Sequence, residues 1–434
     1  MSEQLSLQSI LPILPKFAAI RNEKNAAFRQ RATEIEIALV GLATKLHSIW
    51  IGAPGDGKTM LAESIGRSIV DGDHFSIGIS KSSTDADIFG GPDVPYMVST
   101  GLYRRNTAGK AAKATTLLVD EGFKGEGALL QTMLRFLSEN EYEGEATNLL
   151  WACIASNELP PELRGATNGI PIDLGPLEES LLAFMDRFFY KVEVSSLEPG
   201  SVDWEAVVFH GVAVNNSGTT LTVEEIKQVQ AVVDQVTIPD NVLKAMRELA
   251  TNLPAGLDGV PDSRIKVSTR TWVKALRALK GHALVDGRTT VSLKDLRWLA
   301  HSFWLTPDQK GVVAEQIAKV LSARMSEADS SFRKIEDYVN ANKEGRLIRD
   351  DSPNAENGLK IESSRIVDKN DPRVATVGEK LLAFCQSEID QLKDSLDNAD
   401  DADDIEAIKA AIKGINTKML IVKTGLAFAL KSRK

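Results

Sequence analysis

Short apolar segments alternate with helical periodicity along the first half of the chain. Residues 48–51, 115–121 and 149–155 are apolar nearly throughout and predict buried strands. Apolar residues recur at helical spacing over 60–70 and 128–137, so helices are expected there. Strands that are apolar along their length and alternate with helices are typical of a parallel sheet covered on both faces. The pattern therefore predicts an α/β fold for this part of the chain.

Weaker patterns predict the remaining elements of this first domain. A single helix is expected over 25–46, where an apolar stripe leads into the first strand. Residues 92–114 look unlike core and predict a protruding hairpin or loop. The other expectations are a docking segment over 1–20, a strand at 74–80, a short helix at 85–89, a charged hairpin tip at 139–147, a loop at 160–176, a helix at 178–188 and a closing strand at 190–194.

From Leu221 onwards the pattern is helical. Thr222 and Glu225 form a capping box, and helices are predicted to about 233 and over 239–251, 269–286 and 292–303. A long helix is expected after residue 307, then a polar linker over 343–373 and a helical hairpin with an acidic turn at 397–404. The predicted domains are an αβα domain at 1–200 with an insertion at 92–114, a small helical lid domain at 218–306, and a C-terminal helical region at 307–434.

One segment carries a complete nucleotide-binding motif. Residues 52–59 read GAPGDGKT, between a predicted strand and a predicted helix, which is the order that a P-loop requires. Glycines let backbone N–H groups close around phosphates, and the next helix adds its positive N-terminus. Lys58 is expected to reach the β- and γ-phosphates of ATP, and Thr59 to ligate Mg²⁺. The predicted nucleotide-binding set is Gly52, Gly55, Asp56, Gly57, Lys58, Thr59 and Met60.

Acidic and amide residues stand at the ends of two other apolar segments. Asp120 and Glu121 end TTLLVDE, and Asn157 follows the segment 149–155. Ligands of open parallel sheets bind at the carboxyl ends of the strands, so these residues and the P-loop are expected to converge. We expect Asp120 to hold Mg²⁺, mostly through water, and Glu121 to orient or deprotonate the attacking water. Asn157 either contacts that water or the γ-phosphate, or forms a local Asx turn.

Two arginines are candidates for stabilising charge on a transferring phosphoryl group. Arg187, in MDRFF, lies just before the closing strand, where it either serves a neighbouring subunit or pairs with Asp186 at the surface. Arg270, in VSTRTW, starts a helix of the lid domain and could bring that domain onto the nucleotide, or is an ordinary first-turn residue. Arg164, in the loop 160–176, is a rival to Arg187.

The motifs GAPGDGKT, TTLLVDE, ASNE, MDRF and STRTW together resemble those of AAA+ ATPases of the MoxR group, most closely its RavA branch, over about residues 25–310. The resemblance implies a Mg²⁺-dependent ATPase that forms a hexameric ring and remodels or matures a protein partner with a von Willebrand factor A domain. It also implies roles for single residues: Walker A for Lys58 and Thr59, Walker B for Asp120 and Glu121, sensor 1 for Asn157, arginine finger for Arg187 and sensor 2 for Arg270. Residues 92–114 fall where these proteins carry an insertion often aimed at the central pore. The C-terminal part lacks the large β-rich insert of RavA itself, so that protein's particular partner is not assumed.

Composition limits the function classes. A net charge of −9 over 434 residues does not favour general affinity for nucleic acid or for an anionic membrane. The two cysteines, Cys153 and Cys385, stand far apart in apolar surroundings, which fits a reducing cytoplasm. Five scattered histidines show no metal-binding spacing, no stretch of about 18 apolar residues predicts a membrane span, and the N-terminus is not expected to be a signal peptide.

Two other functions stay open at this point. A small-molecule kinase or nucleotide switch uses the same P-loop, although such proteins usually lack a helical lid with an arginine like Arg270. A nucleic-acid-associated AAA+ motor is opposed by the net charge, but a local basic pore would favour it. The residues that could line such a pore, or else form a solvated face, are Tyr103, Arg104, Arg105, Lys110 and Lys113.

Overall fold

The computed structural model describes residues 5–125, 127–159, 184–212, 218–256, 264–305, 309–321, 346–349 and 359–362, with Gln386 and Ile412. Met1–Ala318 and Lys319–Lys434 are two compact units. The loop 160–176 with Arg164, Cys385, the predicted helix beyond residue 321 and nearly all of the predicted C-terminal hairpin lie outside the described residues.

The apolar segments around the P-loop form one parallel sheet, as predicted. The strands of the first unit are β1 (His47–Ile51), β2 (His74–Gly78), β3 (Thr116–Asp120), β4 (Glu141–Tyr142), β5 (Glu145–Ala146), β6 (Trp151–Ser156) and β7 (Phe188–Glu193). The parallel sheet has the order β2-β3-β6-β1-β7. β1 and β6 are buried along their whole length, as expected for strands with helices on both faces. β4 and β5 form the predicted charged hairpin.

Helices occupy most of the remaining described chain. They are Leu7–Ile10, Leu14–Ala27, Ala32–Thr44, Lys58–Gly66, Asp85–Phe89, Val94–Thr100, Gly127–Glu139, Val202–His210, Val223–Val232, Asp240–Ala255 and Thr269–Val285, with a further helix over 309–321. The segment Leu293–His301, predicted as an α-helix, is a 3-10 helix. The predicted capping box forms, because Thr222 Oγ1 accepts from the backbone N–H of Glu225 and Glu225 accepts from that of Thr222.

The prediction of a single helix over 25–46 is wrong. Two helices, Leu14–Ala27 and Ala32–Thr44, are separated by a break at which Gln30 has a φ of 54°. A left-handed residue cannot continue a right-handed helix, so the chain turns there. The turn directs the Arg31 side chain toward the P-loop, where its Nη2 donates to the backbone oxygen of Asp56 at 3.1 Å.

Residues 92–114 are more regular than the predicted hairpin or loop. The helix Val94–Thr100 begins where the Asp93 carboxylate accepts a hydrogen bond from the backbone N–H of Tyr96 at 3.2 Å. A single antiparallel bridge between Pro92 and Arg105 joins the two ends of this segment. The insertion is therefore a helix closed at its base.

The polar linker predicted over 343–373 contains secondary structure. β8 (Arg346–Arg349) and β9 (Leu359–Glu362) pair antiparallel within it, so this part of the prediction is wrong. Gln386 and Ile412 are helical, within the range of the predicted hairpin. Within the described ranges, no helix is both long and apolar enough to cross a membrane.

The helix Thr269–Val285, called the lid helix below, packs closely on the helix Ala32–Thr44. Gly281 is the point of closest approach, because an added Cβ would lie 2.3 Å from Thr44 Cγ2 and 2.9 Å from Val40 Cγ1. Real Cβ atoms do not approach other atoms so closely, so the spacing of these two helices requires glycine at this position.

Gly281→Ala is expected to destabilise the protein by about 1–3 kcal/mol, because the new methyl group would force the two helices apart. The measurement is the midpoint of thermal unfolding. Gly311→Ala is the matched control, since Gly311 is also helical but its added Cβ would meet open space. Equal midpoints for the two variants would contradict the close packing of the lid helix.

Candidate active site

The P-loop joins β1 to the helix Lys58–Gly66 and places its lysine over the loop. Gly55 and Gly57 have φ values of 90° and 78°, a region that residues with a Cβ rarely adopt. The Lys58 ammonium donates to the backbone oxygens of Gly52 at 2.7 Å and Ala53 at 2.8 Å. Burial lowers the pKa of Lys58, while Asp56, Asp120 and Glu121 act in the opposite direction. A cation held over a glycine turn suits the phosphates of a nucleotide.

Two oxygen ligands suited to Mg²⁺ lie side by side. Thr59 Oγ1, in the first turn of the P-loop helix, donates to Asp120 Oδ2 at the end of β3 at 3.2 Å. Among the described residues, no group of three or more His, Cys, Asp or Glu side chains could hold a metal ion. Mg²⁺ is commonly bound by one or two protein oxygens together with substrate phosphates and waters. The pair of Thr59 and Asp120 fits that mode of binding.

Glu121 and Asn157 are in direct contact between neighbouring strands. Asn157 Nδ2 donates to Glu121 Oε1, and Asn157 Oδ1 lies 3.4 Å from the Lys58 ammonium. Glu121 has a φ of 55°, and its backbone N–H donates to the oxygen of Ala155 at 2.7 Å. Lys124 Nζ lies 3.4 Å from the other carboxylate oxygen of Glu121. The Asn157 side chain thus bridges the P-loop lysine and Glu121, as its predicted place at a strand end allows.

Asp56 of the P-loop accepts hydrogen bonds from residues that the sequence analysis did not predict. Arg31, only 5% exposed, donates to its backbone oxygen, and Ser196 Oγ donates to its Oδ2 at 3.0 Å. Gln30 Nε2 donates to Asp203 Oδ2 at 2.8 Å, which ties the break after the second helix to Val202–His210. These contacts join distant parts of the chain, so no local pattern signals them. Met60, 41% exposed, lies one residue beyond Thr59.

The two candidate arginines lie at the opposite end of the sheet from the P-loop. Arg187 immediately precedes β7, whose first residue, Phe188, pairs with His47 at the start of β1. The P-loop follows the last residue of β1. Because β1 is five residues long, roughly 13 Å of strand separates its two ends. Below, the end with the P-loop is called the carboxyl edge and the end with Arg187 the amino edge.

Arg187 and Arg270 both lie close enough to Lys274, at the amino edge, to lower its pKa. Arg270 is exposed and lies one helical turn before Lys274, whose ammonium donates to the backbone oxygen of Asp186 at 2.7 Å. The Arg187 side chain is 23% exposed; its Nε donates to Ser138 Oγ and its Nη1 lies 3.5 Å from Asp186 Oδ2. The arrangement does not bring Arg270 onto the P-loop of its own subunit.

The basic residues of the insertion all have partners. Arg104 pairs with Asp93, and Arg105 pairs with Asp85 and Glu143. Lys113 pairs with Glu145, and Lys110 donates to the backbone oxygen of Asp87 at 3.0 Å. Acidic and carbonyl oxygens therefore already neutralise or satisfy the cations that were candidates for a basic pore. Tyr103, beside them, is exposed.

Comparison with known families covers most of the first unit. A family model described as "MoxR domain in the MoxR-vWA-beta-propeller ternary systems" matches residues 16–234. A second model, described as "AAA lid domain", matches residues 241–317. The first range contains the sheet, the P-loop and Arg187, and the second contains the lid helix with Arg270.

Individual proteins are similar over the same part of the chain. The uncharacterized protein MJ0079 of Methanocaldococcus jannaschii is 26% identical over 309 residues, which are 70% of this chain and 74% of that protein. The uncharacterized protein MJ0812 of the same organism is 27% identical over 308 residues, 69% of this chain and 74% of that protein. The crystal structure of a candidate ATPase from Cytophaga hutchinsonii has a TM-score of 0.55 at 20% identity and covers 73% of this chain and 96% of its own. At this identity the structural likeness shows the fold alone.

Lys58→Ala and Glu121→Gln are expected to fail at different steps. Loss of the Lys58 cation should weaken ATP binding about 10- to 100-fold, because a hydrogen bond to a charged group is worth about 1.5–3 kcal/mol. Glu121→Gln should bind ATP as the unchanged protein does and lose about 10²- to 10⁴-fold in turnover, as expected for removal of a general base. Calorimetric titration with ATP and steady-state phosphate release measure the two steps.

The matched control for Glu121→Gln is Glu63→Gln, which removes a carboxylate that pairs with Arg67 at the end of the P-loop helix. This variant should bind and turn over ATP normally. An equal loss of ATP affinity in Lys58→Ala and Glu121→Gln would show that the two roles are wrongly assigned.

Proposed function

We propose that this chain, which belongs to the MoxR family of AAA+ ATPases, hydrolyses ATP with Mg²⁺ in a ring and uses the turnover to remodel or mature a protein partner. One observation carries the hydrolytic part of the proposal. Thr59 and Asp120 are 3.2 Å apart at the carboxyl edge, beside a Glu121 carboxylate that accepts a hydrogen bond from Asn157. This is the set of groups that phosphoryl transfer to water requires.

Each of these residues has a distinct task in the proposal. Lys58 binds the β- and γ-phosphates, and Thr59 and Asp120 hold Mg²⁺, which when bound neutralises charge on the phosphates. Glu121 accepts a proton from the attacking water, and its left-handed backbone fixes the direction of the carboxylate. Asn157 orients Glu121 and the water together, since its side chain contacts both Glu121 and Lys58.

The position of Arg187 supports a role in trans. It stands at the amino edge, whereas the phosphates of its own subunit would lie at the carboxyl edge. An arginine that stabilises a transferring phosphoryl group must reach that group directly. We propose that Arg187, with Arg270 beside it, serves ATP held by a neighbouring subunit. Arg164 stays the alternative to Arg187.

A protein partner is supported by the insertion. Val94, Val98, Leu102 and Tyr103 are exposed along its helix and the following loop, with Val98 82% exposed. A cluster of exposed apolar side chains favours contact with protein. The description of the matched family names vWA proteins, so we propose a partner with such a domain. The RavA branch, the hexamer and a cytoplasmic location stay predictions.

The other functions have weaker support. A nucleic-acid motor would need free basic side chains in the insertion, but Arg104, Arg105 and Lys113 are all paired with carboxylates. A kinase or nucleotide switch would not use an arginine such as Arg270 on a separate helical domain. We therefore favour the remodelling ATPase.

The ring is expected to form when ATP is bound and not hydrolysed. Glu121→Gln with ATP and Mg²⁺ should have a mass in solution of about six chains of 47.2 kDa, measured by light scattering during size-exclusion chromatography. Lys58→Ala, which should bind ATP about 10- to 100-fold more weakly, is the control and should give a smaller mass at an ATP concentration that just saturates Glu121→Gln. A monomeric Glu121→Gln at saturating ATP would contradict the ring.

Mixed rings test whether Arg187 acts in trans. Arg187→Ala should lower turnover about 10³- to 10⁵-fold, the usual contribution of an arginine finger, without weakening ATP binding. Arg187→Ala and Glu121→Gln subunits are then each inactive alone. Some interfaces in a mixed ring pair an intact Glu121 with an intact Arg187 of the neighbour, so phosphate release should return.

Arg135→Ala is the control for the loss of an arginine. Arg135 is exposed on the helix Gly127–Glu139, where it forms an ion pair with Glu139 at 3.5 Å. Arg135→Ala should be active without mixing. If Arg187→Ala and Glu121→Gln subunits assemble together and release no phosphate, Arg187 acts in its own subunit or only pairs with Asp186.

A further inference from the structure

The turn that carries Arg187 is held by two side chains of the lid helix. Lys274 Nζ donates to the backbone oxygen of Asp186 at 2.7 Å. Thr271 Oγ1 donates to Asp186 Oδ1 at 3.3 Å. Both contacts reach the residue directly before Arg187, one through its main chain and the other through its carboxylate.

Lys274 is an unusual residue at this place because it lies among other cations. Burial lowers the pKa of Lys274 to about 8, Asp186 opposes this change, and Arg270 and Arg187 lower the pKa further. Keeping an ammonium group near two guanidinium groups is electrostatically costly. The hydrogen bond to Asp186 offsets part of that cost. The hydrogen bond to Asp186 thus holds the Lys274 ammonium at this turn despite the two neighbouring guanidinium groups.

Asp186 could neutralise Arg187 if it were free to rotate. Its Oδ2 lies 3.5 Å from Arg187 Nη1, which is longer than a good charge-assisted hydrogen bond. A close bidentate pair between the two would turn the guanidinium back onto its own subunit. Thr271 engages the other carboxylate oxygen and Lys274 fixes the main chain, so both oppose that closure.

We propose that Lys274, together with Thr271, is a positioning residue that holds the Asp186–Arg187 turn so that Arg187 can reach the ATP of a neighbouring subunit. The inference rests on the proposed function, because it assigns a task to Arg187 that only the ring provides. It also couples the lid helix, which begins beside Arg270, to the turn that carries Arg187.

Lys274→Met removes the ammonium and keeps most of the side-chain volume. Turnover should fall about 10- to 100-fold, since a misplacement of about 1 Å can cost 10²-fold. ATP affinity, the mass of the ring and the unfolding midpoint should stay as in the unchanged protein. Lys274→Arg keeps a donor at this position and should restore most of the turnover.

Lys280→Met is the matched control. Lys280 lies on the same helix and also donates to a backbone oxygen, that of Asp234 at 2.6 Å, but it does not contact the Arg187 turn. Lys280→Met should turn over ATP normally. An equal loss of turnover in Lys274→Met and Lys280→Met would mean that either lysine merely stabilises the helix. That result would overturn the proposal.

Combination with Arg187→Ala separates positioning from a merely structural effect. If Lys274 acts through Arg187, the double variant should be no slower than Arg187→Ala alone, because residues that act as a unit are not additive. In mixed rings, Lys274→Met subunits should regain activity with Glu121→Gln and gain none with Arg187→Ala. An additive loss in the double variant would overturn the proposal.

The outcomes also separate this inference from the proposed function. Normal turnover in Arg187→Ala would overturn the trans role itself. If the Arg187→Ala variant has lost turnover and the Lys274→Met variant is fully active, only the positioning role is overturned. If Lys274→Met does not fold, Thr271→Val serves in its place, because it removes the second contact and keeps the shape of the side chain. Its turnover should fall about 2- to 10-fold, roughly the value of one hydrogen bond. Unchanged turnover in Thr271→Val would overturn the proposal.

Discussion

β1 is hydrogen-bonded to β6 on one side and to β7 on the other, and all three strands run in the same direction. This parallel pairing determines where each functional residue can be. Residues that follow β1, β3 and β6 must meet at the carboxyl edge, and a residue that precedes β7 must lie at the amino edge. Thr59, Asp120 and Asn157 belong to the first group and Arg187 to the second. No side-chain rotation can exchange the two groups, because the strand between them is rigid.

The lid helix is attached to the same sheet by a buried chain of hydrogen bonds. Tyr190, in β7, lies 2.9 Å from His282 Nε2, and His282 Nδ1 lies 3.1 Å from a carboxylate oxygen of Glu36. Burial lowers the pKa of His282, although Glu36 opposes this, and it raises the pKa of Tyr190. A neutral His282 then donates from Nδ1 to Glu36 and accepts from the Tyr190 hydroxyl. Trp298 stacks on its ring at 4.6 Å. This network fixes the lid helix two turns beyond Lys274. The helix that carries Lys274 and Thr271 to Asp186 is therefore held in place.

The residues at the carboxyl edge could be predicted from the sequence because each is defined by its neighbours along the chain. A strand, a glycine loop and a helix in order specify Lys58, and an apolar run specifies the acid that ends it. The break at Gln30 could not be predicted, because the apolar stripe continues through it and it contains neither glycine nor proline. The contact of Arg31 with Asp56 was missed because the two residues are far apart in the chain and no local pattern joins them. Lys274 and Asp186 are far apart in sequence, and their contact follows only from the packing of the lid helix.

The separation of the two edges also constrains how copies of the chain can associate. A nucleotide shared between subunits would contact the carboxyl edge of one chain and the amino edge, with Arg187 and Arg270, of the next. These are different surfaces, so an interface of this kind would be heterologous rather than a two-fold contact between identical patches. A heterologous interface closes into a ring when its rotation allows and otherwise grows into a filament. Each such interface would place acidic and phosphate groups against guanidinium groups, a complementarity that would be strongest with ATP bound and would weaken as the γ-phosphate leaves. The state of one nucleotide can thus change the strength of the contact that holds the next subunit, which is the physical basis on which hydrolysis could move one subunit against another.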